Sequence, residues 1–493
     1  MRLTDPVLRS LGALVLCAAA AAVSRADFEE LEARVERFTL PNGLTFLVLE
    51  RTDAPVFSFR TYVDAGGVDE VPGITGIAHM FEHMAFKGTA TVGVTDAVAE
   101  ARALDLVDAA WDAVAAADST ELEAMQSEFR AAQEAAGAFV KSNDFTKILE
   151  EEGAVGLNAS TSTDATQYYY SLPSNRLELW ARLEGDRLTQ PVLREFYKER
   201  DVVQEERRFG ESSAVGRLIY AFINSAYQAH PYGIGVIGFK SDLQQITRRD
   251  AFEFFDKYYV GSNMTIALVG DVRVDEVRRV AEKYFSDVPS GPKPAPIRTV
   301  EPRHEAEIRV TLEDPAQPVV FLGYHAVERE HPDYRAYELL GDMLALGRTG
   351  RLYERLVKQD KIASDVGGGI GFPGQKYPSM LIFQGIVAKD SEPDQIEAAF
   401  YDEFERMVEQ GPTEEELRKV KTQNKAAFIR SLRGNTGLAG QLAQNEELFG
   451  DYRRLFDFLD DIERVTVDDI RRVAGEALRP GNRVVGVIRR PNS

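Results

Sequence analysis

The residue pattern predicts an α+β protein of two duplicated domains, each a mainly antiparallel sheet with helices packed on one side. Three observations carry this expectation. At 493 residues the chain is too long for one hydrophobic core and long enough for two domains of about 200 residues or more. A proline-rich stretch, Gly291-Pro292-Lys293-Pro294-Ala295-Pro296, reads as a linker past its middle. On either side of it the order of elements partly repeats, in pattern and not in residue identity. The expected boundaries are an N-terminal domain over 27–290, a linker over 291–303 and a C-terminal domain over 304–493.

The first 26 residues read as an export signal. Arg2 and Arg9 give a basic start, 11–23 an apolar run too short to span a bilayer comfortably, and Ser24-Arg25-Ala26 a small-x-small cleavage site. Cys17 follows Leu16, which is bulkier than a lipidation site normally accepts. Cys17 is also the chain's only cysteine, so cleavage after Ala26 leaves no disulfide, thiolate nucleophile or thiolate metal ligand. Export without disulfides fits a periplasm. The formal charge is −21, and deleting Arg2, Asp5, Arg9 and Arg25 takes it to −23. Such an excess repels nucleic acid and anionic membranes.

The elements follow in order. Alternating residues predict strands over 35–40, 44–49 and 56–63, with a turn at Pro41-Asn42-Gly43. Gly66-Gly67 and Pro72-Gly73 interrupt, and a helix begins near Ile77 and ends before Gly88. The Ala-rich, acidic segment 96–141 has helical periodicity on both sides of Asp118-Ser119 and is expected to be an inserted helical hairpin. A lid, a partner contact and mere decoration all remain open for it. Strand character returns over 156–162 and 167–170, then a helix over 175–186, a second over 195–208, a strand over 264–270 and a helix over 274–285. In the second half, strands are expected over 306–312, 318–324, 379–387 and 484–488. Helices are expected over 334–346, 395–459 and 467–477.

Chemistry concentrates in Ile77-Ala78-His79-Met80-Phe81-Glu82-His83-Met84-Ala85-Phe86, which holds two of the six histidines. On a helix, positions four apart lie on one face, so His79 and His83 can reach one metal ion. Glu82 can reach a water at that metal without being a ligand, and His-x-x-Glu-His is the inverted zincin motif. The polar payload on an otherwise apolar helix is costly unless paired. A catalytic zinc takes three protein ligands and leaves a position open. The third is expected from a second helix, where Glu199 and Glu206 are seven residues apart on one face and Glu205 points about 100° away. Glu206 is the chosen ligand. Zinc would acidify its water, Glu82 would move the proton, and Glu199 would support the site. A structural zinc would want a closed four-ligand shell, and no fourth ligand stands near His79 or His83 in the chain. His230, His304, His325 and His331 are read as surface or capping residues.

These motifs resemble those of the pitrilysin/insulinase-type (M16) metallopeptidases, in the family's order and over essentially the whole mature chain. His79 to Thr89 resembles the family signature. Asn158-Ala159-Ser160-Thr161-Ser162 with Tyr168-Tyr169 resembles its edge-strand segment, and Glu199 to Glu206 its Glu-x6-Glu helix. The resemblance implies one zinc per chain at His79, His83 and Glu206, Glu82 as base and Glu199 as assisting acid. It also implies that Asn158 and Ala159 bind the backbone of an extended substrate added as a strand. The 123 residues from His83 to Glu206 exceed the family's usual gap, and the 96–141 insertion accounts for nearly all the excess.

Family members enclose peptides in a clam-shell chamber between two such two-domain units, and the length here fits the short form that pairs as separate chains. Active relatives carry an Arg and, seven residues on, a Tyr in the second domain. Here Val357 and Ser364 occupy those positions, with Arg355 near but out of register. The resemblance therefore implies a zinc-bearing subunit that pairs with a second M16-type subunit supplying the Arg/Tyr pair, a homodimer being the other arrangement. A non-catalytic assembly or chaperone-like homologue is the rival reading, usually marked by a broken His-x-x-Glu-His. In this chain the motif is intact.

Overall fold

The computed structural model describes residues 25–491. The expected export segment lies outside the described residues except for Arg25 and Ala26, which open a helix, Arg25–Ala33. No described helix is long and apolar enough to cross a membrane.

Two sheets organise the described residues. The first contains β1 (Glu36–Thr39), β2 (Thr45–Glu50), β3 (Val56–Val63), β4 (Val155–Thr161), β5 (Thr166–Pro173) and β6 (Met264–Gly270), in the order β1-β2-β6-β3-β5-β4. The second contains β7 (Ile308–Glu313), β8 (Val319–His325), β9 (Ala363–Phe372), β10 (Met380–Val387) and β11 (Arg483–Arg489), in the order β7-β11-β8-β10-β9. Apart from β1 the two orders are the same. Each has one parallel pair, β2 with β6 and β7 with β11, and the remaining pairs are antiparallel. The duplication suggested by element order is therefore present in the topology.

Strands β2 and β6 do not alternate in burial. Every residue of β6 is buried, and every residue of β2 except Glu50. The cause is cover on both faces. On one face lie helices of the same half, where Trp180 packs against Phe57 and Phe59 at ring distances of 6.1 and 5.3 Å. On the other lies helix Asn435–Phe449 from the second half, whose Leu438, Ala439, Leu442 and Ala443 join Leu47, Leu49, Ala267 and Val269 in one core. The second sheet is covered reciprocally. Helix Ala214–Ala226 of the first half lays Leu218 and Phe222 on β7, β8 and β11, against Phe321 and Val484. Gly323 and Gly486 allow this approach, since a Cβ there would stand 2.7 and 3.0 Å from the Phe222 ring.

The inserted segment forms helices Ala97–Ala116 and Leu122–Gly137, with Asp118 at the turn accepting the Thr120 and Glu121 N–H groups. Several elements are absent from the sequence reading. Helices Asp144–Glu151, Ala214–Ala226 and Arg248–Tyr258 were not expected, nor was β9, whose Gly367-Gly368-Gly369 reads as a break. Gly368 is there because a Cβ would meet Ile382 O at 2.4 Å across the β9–β10 pair.

Candidate active site

Helix Ile77–Met84 is fixed by its apolar side. Ile77, Ala78, Met80, Phe81 and Met84 are buried, and Phe81 packs on Phe255 and Tyr259 at 5.4 and 4.6 Å. The entry at Gly76 has φ +93°, and a Cβ would stand 2.6 Å from Ile237 O. The buried carboxylate of Glu70 accepts the Gly76 and Ala78 N–H groups at 2.7 and 2.9 Å, satisfying two donors of the first turn. Burial raises Glu70 to about 8, against the pull of those two N–H groups. What remains on the other side of the helix is His79, Glu82 and His83, all partly buried.

Helix Phe196–Ser212 brings the carboxylates. Glu206 Oε2 lies 3.7 Å from His79 Nε2, and Glu206 Oε1 lies 3.6 Å from His83 Nε2. Glu199 Oε2 is 3.5 Å from His83 Nδ1. Glu199 also pairs with Lys87, whose ammonium reaches Glu195 at 3.3 Å. Glu205, by contrast, faces solvent and pairs with Arg208. Burial, and then the neighbouring His83, lower His79 to about 4, so its ring is neutral near pH 7. The hydrogen bond to Glu199 raises His83 against the opposing effect of burial. Burial alone would raise Glu199, but His83 and Lys87 together hold it below the usual carboxylate range.

The donor set suits a zinc ion. Ligand atoms of His79, His83 and Glu206 all lie within 4.8 Å of one another. A tetrahedral ion with bonds near 2.1 Å needs ligand atoms about 3.4 Å apart, close to the His–Glu distances found. Glu199 on His83 Nδ1 leaves Nε2 of that ring as the free donor, the carboxylate–imidazole arrangement common at zinc. His79 Nδ1 is buried without a hydrogen-bond partner among the described residues.

His79 and Glu82 open into a cleft of about 490 Å³. One wall is β4, the outer strand of its sheet, through Ala159, Ser160 and Thr161. The other is Tyr220, Ile223 and the segment 235–237. Asn158 and Ala159 lie on this strand, paired with Tyr169 and Tyr168 of β5. The Ala159 N–H donates to Asn158 Oδ1 at 2.9 Å.

The structure thus gathers His79, Glu82, His83, Glu199 and Glu206 into one cluster and puts Asn158 and Ala159 on the strand beside it. Sequence reasoning missed Glu70 and Tyr220. Glu70 sits in a glycine-rich loop with no motif spacing, and Tyr220 in an unanticipated helix. Lys87 stands just before Gly88, and nothing in its spacing points to Glu199. The other histidines need a correction. His230 and His331 do cap, accepting the Tyr232 and Asp333 N–H groups. His304 and His325 are not surface residues: His304 is 5% exposed and its ring packs 4.5 Å from that of His325, which burial lowers to about 4. In the second half Val357 packs against the core, while Arg355 is held by Asp360, Asp402 and Glu403 at 2.9–3.3 Å.

Among the described residues, a duplicated α+β fold thus carries one His/His/Glu cluster beside the outer strand of its first sheet. The chain belongs to the M16 family of pitrilysin-type peptidases. It matches the family described as "Insulinase (Peptidase family M16)" over residues 46–124 and the "Peptidase M16 inactive domain" over 245–424. It is 28% identical to the zinc protease PqqE of Helicobacter pylori over 454 residues, 90% of this chain and 89% of that one. The crystal structure of a protease from Helicobacter pylori superposes with a TM-score of 0.77 at 26% identity, covering 92% of this chain and 99% of that one. The periplasmic protease PqqL of Escherichia coli has the same fold, with a TM-score of 0.68 at 17% identity. The match covers 93% of this chain and 48% of PqqL.

Proposed function

We propose that the protein is a zinc-dependent endopeptidase that hydrolyses peptides or unfolded segments, with one zinc per chain in the half formed by 27–290. The observation that carries this reading is the convergence of His79 Nε2 and His83 Nε2 on Glu206 at 3.7 and 3.6 Å, with Glu82 in the same cleft. His79, His83 and Glu206 hold the metal. Zinc held there supplies Lewis-acid polarisation of a carbonyl and lowers the pKa of water. Glu82 accepts the proton of the attacking water and delivers it to the nitrogen leaving the scissile bond. Glu199 holds His83 in the tautomer whose Nε2 is free, and Lys87 keeps Glu199 ionised. An extended peptide adds along β4, displacing Asn158 Oδ1 from the Ala159 N–H.

Val357 and Ser364 stand where active relatives carry an Arg and a Tyr, and Arg355 is committed to three carboxylates. Together with the match to half of PqqL, this supports pairing with a second M16-type unit that closes the chamber and supplies those groups, a zinc-less homologue in preference to a second copy. Export to the periplasm accords with residues 1–26 and with the periplasmic PqqL. The test is hydrolysis of a quenched mixed-sequence peptide by the mature chain, with and without chelator. A zinc-loaded chain that stays inactive with every M16-type partner co-purified from its source would sink the proposal.

A further inference from the structure

The inserted hairpin has no part in the chemistry above, yet one buried guanidinium ties it to both of the helices that carry it. Arg194 is 1% exposed, and its five N–H groups all have acceptors. Nε and Nη2 bond to Glu100 Oε1 and Oε2 at 2.7 and 2.9 Å, and Glu100 belongs to the first hairpin helix. Nη1 bonds to the carbonyls of Lys87 and Val92 at 2.6 and 2.9 Å, and Nη2 to that of Thr89 at 2.7 Å. Those carbonyls belong to the chain leaving the His79–His83 helix. Gly88 and Gly93 make room for the group, since Cβ atoms there would stand 2.5 and 3.0 Å from Nη1.

Arg194 also stands at the start of the other helix. Its neighbours Leu193 and Glu195 both have positive φ, 54° and 58°. Two non-glycine residues in the left-handed region are strained and persist only where surrounding contacts hold them. Three residues downstream, the Tyr197 hydroxyl donates to Asp108 of the hairpin at 3.0 Å, and its ring meets those of Trp111 and Phe129 at 5.4 and 5.2 Å. The Arg200 guanidinium lies 4.0 Å over Trp111.

We propose that the hairpin is a buttress for the metal centre and that Arg194 is its positioning residue, setting the helix of Glu199 and Glu206 against the helix of His79 and His83. The proposal rests on the reading of these residues as a zinc site. A bidentate pair to Glu100 with three carbonyl bonds fixes both position and orientation, which a lysine ammonium does not do. Small displacements matter at such a site, because three ligands must converge to within about 0.5 Å.

The test is zinc affinity of the full mature chain, by competition with a chromophoric chelator, alongside the melting temperature of the metal-free protein. Glu100→Gln is expected to weaken zinc binding about tenfold, and Tyr197→Phe, which loses one hydroxyl, about threefold with the metal-free melting temperature nearly unchanged. Arg249→Ala breaks an exposed contact to Asp112 on the same hairpin and should change neither. If Glu100→Gln fails to fold, Tyr197→Phe decides. Zinc affinity within about twofold of wild type in Tyr197→Phe, or an equal loss in Arg249→Ala, overturns the buttress. Zinc binding by the wild type that does not depend on His79 would instead overturn the zinc site itself.

Discussion

His83 Nδ1 lies 3.5 Å from Glu199 Oε2, so that carboxylate bears on the protonation of a ring whose other nitrogen faces Glu206, the proposed third zinc ligand. This contact raises His83, so a proton competes with zinc at a higher pH than on a free imidazole. Zinc affinity is therefore expected to fall as pH drops through the raised His83 value. His79, lowered to about 4, stays neutral through that range. Glu199→Gln removes the largest cause of the rise, leaving the smaller pull of Glu206 and Glu82, so the acid limb should move to lower pH, even though the affinity at pH 8 is reduced. Chelator competition between pH 5 and 8 measures both, and an acid limb that stays in place would exclude His83 as the competing group.

Glu82→Gln should abolish hydrolysis while leaving zinc bound. Losing a general base costs roughly 10²–10⁴ in rate, and Glu82 is not among the converging ligands. Peptide cleavage and metal content, read on the same sample, separate this outcome from loss of the ion.

Glu206 and its neighbour Glu205 should part sharply. Glu206→Gln is expected to lower zinc affinity by more than about 100-fold, beyond what loss of an outer partner costs. Glu205→Gln, on an exposed residue paired with Arg208, should leave it unchanged. Equal losses in the two variants would place the third ligand elsewhere.

The Arg and Tyr that the M16 resemblance implies can be introduced at 357 and 364. Val357→Arg combined with Ser364→Tyr should raise the peptidase rate of the chain alone by at least about tenfold, since carbonyl-stabilising groups commonly contribute 10²–10³. A rate that stays at the wild-type level, in a folded double variant, would argue that these positions do not face substrate.

The exchange of helices predicts a stability effect far from the metal. Phe222 is 1% exposed and packs on the second sheet, so Phe222→Ala should cost about 3–5 kcal/mol. Urea unfolding would show it as a lower midpoint. The loss should appear in probes of both halves together, because helix Ala214–Ala226 belongs to one and covers the other.

Most of the architecture was legible because burial leaves a period in the chain. The His79–His83 helix shows it, with core residues at 77, 78, 80, 81 and 84 and its polar groups between them. The seven-residue spacing of Glu199 and Glu206 likewise puts both on the face that meets the histidines. What stayed hidden has physical reasons. Strand β9 carries three consecutive glycines, of which only Gly368 is pressed by its neighbour strand, and such a run does not resemble a strand. Helix Ala214–Ala226 has an apolar face, but nothing in its own segment says that it covers strands as far apart in the chain as β7 and β11. Arg194 acts through carbonyls more than 100 residues away and Glu70 through the N–H groups of Gly76 and Ala78, and backbone partners leave no residue type to read.

The long reach of helix Asn435–Phe449 bears on how the chain comes to fold. Glu446 meets Arg37 across 409 residues, and Thr436 meets Ser58 across 378. Contacts so remote close slowly, since a large loop must be ordered before they form. One face of the first sheet, including Leu47, Leu49, Ala267 and Val269, therefore lacks this cover until residues 435–449 have been synthesised. Until then it is a sticky, incomplete layer of the kind that chaperones shield. The first half can begin to collapse early, but it finishes only when helix Asn435–Phe449 arrives.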